Sequence, residues 1–192
     1  MAKKESSLKN MIISLVSISL IASMALGGVY IVTKEPIELA AKAKQENAIK
    51  EVVPEFDSLY SYKILPDEGT DSILINQAFK GDTLVGTAVG TYSNNGYNAT
   101  QIQLMVGFLP DGSIQNISIV QQNETPGLGT KMKESKFKDQ FNKKNPAEFK
   151  VKVKKDGGQV DAITAATISS RAFCDAVNRA SNNYQKKGGN QP

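Results

Sequence analysis

Residues Met11 to Val32 form the only long, predominantly apolar run without a charge, and this run constrains the chain more than any other feature. At the α-helical rise it measures roughly 30 Å, the thickness of a bilayer core. Lys3, Lys4 and Lys9 precede it, and Lys34 and Glu35 follow it. The lysine excess on the N-terminal side predicts an N-terminus inside the cell and a C-terminal domain outside. Ser23-Met24-Ala25 resembles a small-x-small cleavage site, so a removed signal peptide is the rival reading. The apolar run continues beyond that site through Val29-Tyr30-Ile31-Val32, which is longer than a usual signal core and favours a retained anchor. No cysteine lies near it to carry a lipid.

The remainder of the 192 residues suffices for one extracytoplasmic domain. Lys and Arg total 23 against 19 Asp and Glu, a net charge of +4 spread along the chain. That mild, dispersed excess is unlike a nucleic-acid-binding stripe, and no zinc-finger, RNP or recognition-helix pattern is present. There is no histidine, so the usual metal ligand and general base is missing. The single cysteine, Cys174, excludes an intrachain disulfide and an iron–sulfur cluster held by this chain alone. It sits in an amphipathic stretch, where a free cysteine is usually small buried filler.

Along the chain, Glu38 to Val53 is rich in Ala, Lys, Glu and Gln and predicts a helix, either a stalk or the first helix of the domain, ended by Pro54. Glu55 to Gly69 is turn-rich and has no clear periodicity. Strands are expected over Ser72–Phe79, Thr83–Tyr92, Thr100–Leu109 and Ser113–Val120. Turn signals separate them at Lys80-Gly81-Asp82, Asn94-Asn95-Gly96 and Pro110-Asp111-Gly112. Such a meander is antiparallel. Ile102, Leu104, Val106 and Phe108 alternate onto one face. A short helix is expected from Lys133 to about Asn142, with Phe137 and Phe141 facing the core, then a short strand over Glu148–Val153 that Val160–Ile163 joins. From Ile168 a final helix presents Ala172, Phe173, Ala176, Val177 and Ala180 to the sheet. The expected fold is α+β, an antiparallel sheet with packed helices on one side, preceded by a single transmembrane helix. Its parts are a cytoplasmic N-terminus (1–10), the transmembrane helix (11–32), a helical lead-in (33–70), the domain (71–185) and a polar tail (186–192).

Two stretches carry chemistry. The first is Asp161-Ala162-Ile163-Thr164-Ala165-Ala166-Thr167-Ile168-Ser169-Ser170, at the start of the last helix. Hydroxyls and a carboxylate crowd helix starts because they cap free N–H groups. The same N–H groups and the positive dipole end also suit a phosphate. The second is Glu124-Thr125-Pro126-Gly127-Leu128-Gly129-Thr130-Lys131. It reads either as an ordinary connection or as a tight loop whose backbone approaches a ligand closely.

The first stretch resembles the flavin-attachment motif Asp-x-x-Ser/Thr-Gly-Ala-Thr of FMN-binding subunits in Rnf electron-transport complexes and sodium-pumping quinone reductases. Asp161, Thr164, Ala166 and Thr167 match, and Ala165 stands where the family has glycine. That methyl group is tolerated in helical or extended backbone and costly at positive φ. The second stretch resembles the Glu-Thr-Pro-Gly-Leu-Gly loop of the same family, and the two occur in the family's order. The resemblance implies FMN joined by a phosphoester to Thr167, with Thr164 and backbone N–H groups on the phosphate. Asp161, Ala165, Ala166 and Ile168 complete that wall. Glu124, Thr125, Gly127, Leu128 and Gly129 would flank the flavin ring, and Lys131 would offset the charge of the reduced flavin. It implies a redox carrier within an ion-translocating ferredoxin:NAD oxidoreductase of the cell (inner) membrane. Its partners would be the other membrane subunits and a flavin transferase that moves FMN from FAD. Membership of a quinone reductase, an extracellular electron-transfer carrier, or a non-redox scaffold are the alternatives.

The topology has a direct test. A protease that cannot cross the membrane should digest the domain in spheroplasts while full-length chain is recovered from intact cells. Protection of the domain, or a mature chain lacking residues 1–25, contradicts the reading.

Overall fold

A computed structural model describes residues 7–66 and 71–188. Lys3 and Lys4, residues 67–70 of the lead-in and most of the tail lie outside the described residues. The chain divides into two compact units, Met1–Ala43 and Lys44–Pro192. The first unit holds most of helix α1 (Leu8–Val52), with Pro36 inside it. Every described side chain up to Ala43 is exposed. The apolar portion is long and apolar enough to cross a membrane.

In the second unit a five-stranded antiparallel sheet runs in the order β1-β2-β3-β4-β5. Its strands are β1 (Ser58–Ile64), β2 (Ile73–Lys80), β3 (Thr83–Ser93), β4 (Ile102–Phe108) and β5 (Ile114–Gln121). The four expected strands are β2 to β5. β1 falls in the stretch that reads as turns. It pairs along its whole length with β2, from Ser58 opposite Phe79 to Ile64 opposite Ile73. Its side chains are mostly exposed, so it lacks the apolar alternation that marks a half-buried strand.

Ile102, Leu104, Val106 and Phe108 share one buried face with Ile73 and Ile75. Ile114 and Ile117 join them although three positions separate the two. The register explains this: Phe108 opposes Ile114 but Gly107 opposes Asn116, so one extra residue of β5 is accommodated and the later side chains change face.

That face is covered by α3 (Thr167–Asn183), whose Ala172, Phe173, Ala176, Val177 and Ala180 are fully buried. The Thr91 hydroxyl donates to the Ala176 carbonyl at 2.9 Å, fastening α3 to β3. The expected helix over Lys133–Asn142 is instead three short pieces: a 3₁₀ turn Gly129–Lys133, a single turn α2 (Ser135–Lys138) and a second 3₁₀ turn Asp139–Phe141. Phe137 and Phe141 do face the core. Their ring centroids lie 5.1 and 5.2 Å from that of Phe173. The expected strand over Glu148–Val153 does not form. Val151 and Val153 are buried, but Val153 and Val160 make one isolated parallel bridge. The turn at Lys154–Asp156, closed by Gly157 at φ 74°, is too short to support a parallel ladder.

Helices cover both faces, not one. The last turns of α1, which belong to this second unit, bury Ala48, Ile49 and Val52 against Ala78, Ala88 and Met105. Glu51 anchors this contact. It accepts from the Ser118 hydroxyl at 2.6 Å and pairs with Lys138 at 3.2 Å. Gly107 lets helix and strand touch: a Cβ there would collide with the Val52 carbonyl. Pro54 follows the helix end closely, as expected.

Gly107→Ala should therefore force the end of α1 off β4. The expected cost is about 1–3 kcal/mol, as for other overpacked sites, read as a lowered melting temperature of the whole chain. A variant as stable as the wild type would show that the helix–strand contact is not tight.

Candidate functional site

The two chemistry-bearing stretches meet at one cleft. Ala165, Ala166, Thr167, Ile168 and Ser169 form one wall, and Glu124, Thr125, Leu128 and Gly129 form the other. Tyr97, from the β3–β4 connection, completes the lining. The volume is about 430 Å³, within the range of small-molecule sites.

The helix start is built in an unusual way. Thr164 and Ala165 occupy the centre of a turn in which the Ala166 N–H donates to the Ile163 carbonyl at 3.0 Å. Ala165 lies at φ 60°, one of three non-glycine residues with positive φ among the described residues. It holds the third turn position, where a type II turn requires positive φ and favours glycine. The glycine departure is thus costly here: an L-residue in this region is strained by about 1–2 kcal/mol. The Ser170 hydroxyl supports the turn, accepting from the Ile163 N–H and donating to the Ala166 carbonyl, both at 2.9 Å.

Ala166 is the residue preceding the helix, and no side chain caps it. The capping reading of Asp161, Thr164 and Thr167 therefore does not hold. Ser170 is the first residue whose N–H bonds back, to Ala166 at 3.0 Å. The N–H groups of Thr167, Ile168 and Ser169 have no partner among the described residues. This 17-residue helix thus presents free donors and its positive end at the cleft.

The opposite wall is shaped by two glycines with different tasks. Gly127 adopts φ 75° at the third position of the turn closed by the Leu128 N–H to the Thr125 carbonyl at 3.1 Å. No atom would crowd a Cβ on Gly127, so its requirement is backbone conformation. Gly129 is the close-approach glycine. A Cβ there would lie 2.6 Å from the Ser169 hydroxyl and 2.7 Å from Glu124. Between these groups runs the contact that joins the walls: the Ser169 hydroxyl donates to Glu124 Oε2 at 2.6 Å. Glu124 Oε1 accepts from the Tyr97 N–H at 2.9 Å.

Not all expected residues line this cleft. Thr164, Lys131 and Asp161 border a smaller neighbouring cavity of about 170 Å³ with Lys136, Phe137 and Gln140. The Asp161 carboxylate is paired with Lys154 at 2.7 Å, while its backbone is clasped on both sides by the Gln140 amide. Asp161 thus fixes the segment's course. Of the lining residues, Tyr97 escaped the sequence reading, and Ser169 stood in the first stretch without a role. Tyr97 is a lone aromatic in a polar loop, and Ser169 a hydroxyl on the buried side of α3; each is a signal the sequence carries. Tyr97, Leu128 and Ile168 are 64%, 39% and 46% exposed, an apolar rim around polar walls.

On the far side of Ile168 lies an open groove with Arg171, Asp156 and Cys174. Arg171 binds Asp156 through two hydrogen bonds of 2.7 Å, which hold the Asp156 carboxyl below its ordinary range. Burial pushes the Cys174 thiol up to about 12, so it is an inert core residue.

The sequence pattern of the FMN-binding domain family matches residues 96–182, which span every lining residue. The chain is 33% identical over 175 residues to the G subunit of an ion-translocating oxidoreductase complex of Methanosarcina acetivorans, covering 88% of this chain and 90% of that protein. It is 36% identical over 162 residues to the corresponding G subunit of Erwinia tasmaniensis, covering 77% and 76%. Over 106 residues it is 41% identical to the G subunit of the Na(+)-translocating ferredoxin:NAD(+) oxidoreductase complex of Acetobacterium woodii, 53% of this chain and 50% of that one. The chain belongs to the family formed by the G subunits of ion-translocating oxidoreductase complexes.

Ala165→Gly should relieve the strained turn. The expected gain is about 1 kcal/mol, the reverse of placing alanine at positive φ, measured as a higher denaturation midpoint in urea. A less stable glycine variant would mean that the turn is not strained.

Proposed function

We propose that this chain is the flavoprotein subunit of a membrane-bound, ion-translocating electron-transport complex, carrying FMN on Thr167 through a phosphoester. The observation that carries the reading is that the two motifs, distant in sequence, form one cleft at an uncapped helix start. The residues present fit the group. The free N–H groups of Thr167, Ile168 and Ser169 suit a phosphate. Tyr97, Leu128 and Ile168 offer apolar surface to a flat ring, and the turn at Thr164-Ala165 leaves the Thr167 side chain half-exposed at the wall.

When bound, FMN supplies reversible one- and two-electron transfer. The chain's own residues bind and orient it. Thr167 tethers, Gly129 lets the loop approach α3, and Glu124 holds loop and helix together. Thr164 and Lys131 border the adjoining cavity; Thr164 would contact the phosphate, and Lys131 would offset the charge of the reduced flavin. No side chain among the described residues hydrogen-bonds the Thr167 hydroxyl, and a free threonine hydroxyl is a weak nucleophile. Attachment therefore requires a separate flavin transferase. The transfer breaks the phosphoanhydride of FAD, forms the threonine Oγ–P bond and releases AMP, the hydroxyl proton leaving to the transferase. Helix α1 anchors the chain with its N-terminus in the cytoplasm and the domain outside, beside the complex's other membrane subunits. A covalent tether suits that location, where lost FMN is not readily replaced.

Intact mass of the full chain produced with and without a flavin transferase tests the reading. Wild type should gain the mass of FMN less water only with the transferase. Thr167→Ala should gain none and lose in-gel flavin fluorescence, with stability within about 0.5 kcal/mol of wild type. A wild-type chain that stays unmodified would instead support the scaffold reading.

A further inference from the structure

Besides joining loop to helix, Glu124 places a carboxylate inside the wall of the cleft. Glu124 is 3% exposed. Burying a carboxylate is costly unless a counter-charge or strong donors meet it. Glu124 has two donors and no cation: the Tyr97 N–H at 2.9 Å and the Ser169 hydroxyl at 2.6 Å. One donor on each oxygen suits the ionised form. Gly96 and Gly129 enclose it, since a Cβ on either would come within 2.7 Å of a Glu124 oxygen.

Among the residues lining the cleft, Glu124 is the only one with a formal charge, and the Tyr97 phenol is the only other titratable group. On its own loop, Lys131 faces the neighbouring cavity with Glu134, Lys136 and Asp161. On α3, Arg171 is bound to Asp156. The β3–β4 connection from Asn94 to Gln101 carries no charged side chain. The positive end of α3 lies at Thr167, on the opposite wall.

We propose that Glu124 sets the reduction potential of the flavin, its buried negative charge holding that potential low. The proposal rests on the flavin reading above. Reduction of oxidised flavin by two electrons and one proton gives an anion; uptake of a second proton from water gives the neutral reduced form. A fixed negative charge in a poorly hydrated wall opposes the first outcome and leaves the second nearly untouched. The reduced flavin should therefore keep its second proton to higher pH than free reduced FMN does.

The test uses the full chain loaded by a transferase, checked by intact mass, and reduced with dithionite against a reference dye. Glu124→Gln keeps both contacts, because the amide oxygen accepts from Tyr97 and the amide nitrogen donates to the Ser169 oxygen. At pH 8 and fixed potential, its reduced-to-oxidised ratio should rise at least tenfold, a shift of about 30 mV for a two-electron couple. Glu124→Asp, which keeps the charge, should stay within about threefold of wild type on the same scale. An unshifted Gln variant, or equal shifts in both variants, overturns the proposal. The wild-type protein gives an independent answer even where a variant fails to fold. Its reduced flavin should ionise at a higher pH than reduced free FMN in the same buffer, and ionisation at or below the free value overturns the proposal. A wild-type chain without FMN mass would instead remove the flavin reading itself, and the two failures are distinguishable.

Discussion

The hydrogen bond from Ser169 to the buried Glu124 is the contact on which the cleft depends. It joins the first turn of α3 to a loop that leaves the far edge of the sheet. Through the second carboxylate oxygen the same residue holds the backbone at Tyr97. Three segments with no ladder between them are thereby fixed by one side chain. The requirement for glycine at 96 and 129 follows, since the carboxylate leaves no room for a Cβ at either position. Removing one partner would strand a buried polar group, which costs more than the bond itself contributes.

The sheet and final helix were legible because their residues obey simple periods. β4 alternates, β2, β3 and β5 are rich in β-branched and apolar residues, turns of known chemistry separate the four, and α3 carries an apolar stripe. What could not be read had physical reasons. β1 is an edge strand with both sides largely in water, so nothing in its composition separates it from a loop. The piece after Gly129 is broken into single turns, yet it still delivers Phe137 and Phe141 to Phe173. Val151 and Val153 alternate as a strand would, yet no neighbour is positioned to pair with them beyond one bridge. The part played by α1's last turns was visible only as an Ala-, Lys-, Glu- and Gln-rich helix that could be a stalk or the first helix of the domain.

At the site, sequence alone marked the two stretches that line the cleft, but not how the labour is divided between their residues. Gly127 and Gly129 look equivalent in the chain. One serves a left-handed turn and the other a close contact. Asp161 and Thr167 look like members of one cluster, yet a turn strained at Ala165 points them to different cavities. A strained residue beside an uncapped helix is a local departure from what stability alone would select, and such departures concentrate at functional sites. The surrounding packing of α3 on β3 and β4 is what tolerates it.

The seating of Val52 against Gly107 has a consequence for where this domain begins. Its core does not start with the first strand. The closing turns of α1 shield Ala78, Ala88 and Met105 on one face of the sheet, so these turns are structurally part of the globule. A soluble fragment cut after Pro54 would present that apolar face to water and invite self-association. A cut near Lys44 removes the exposed apolar stretch and spares the helical lid.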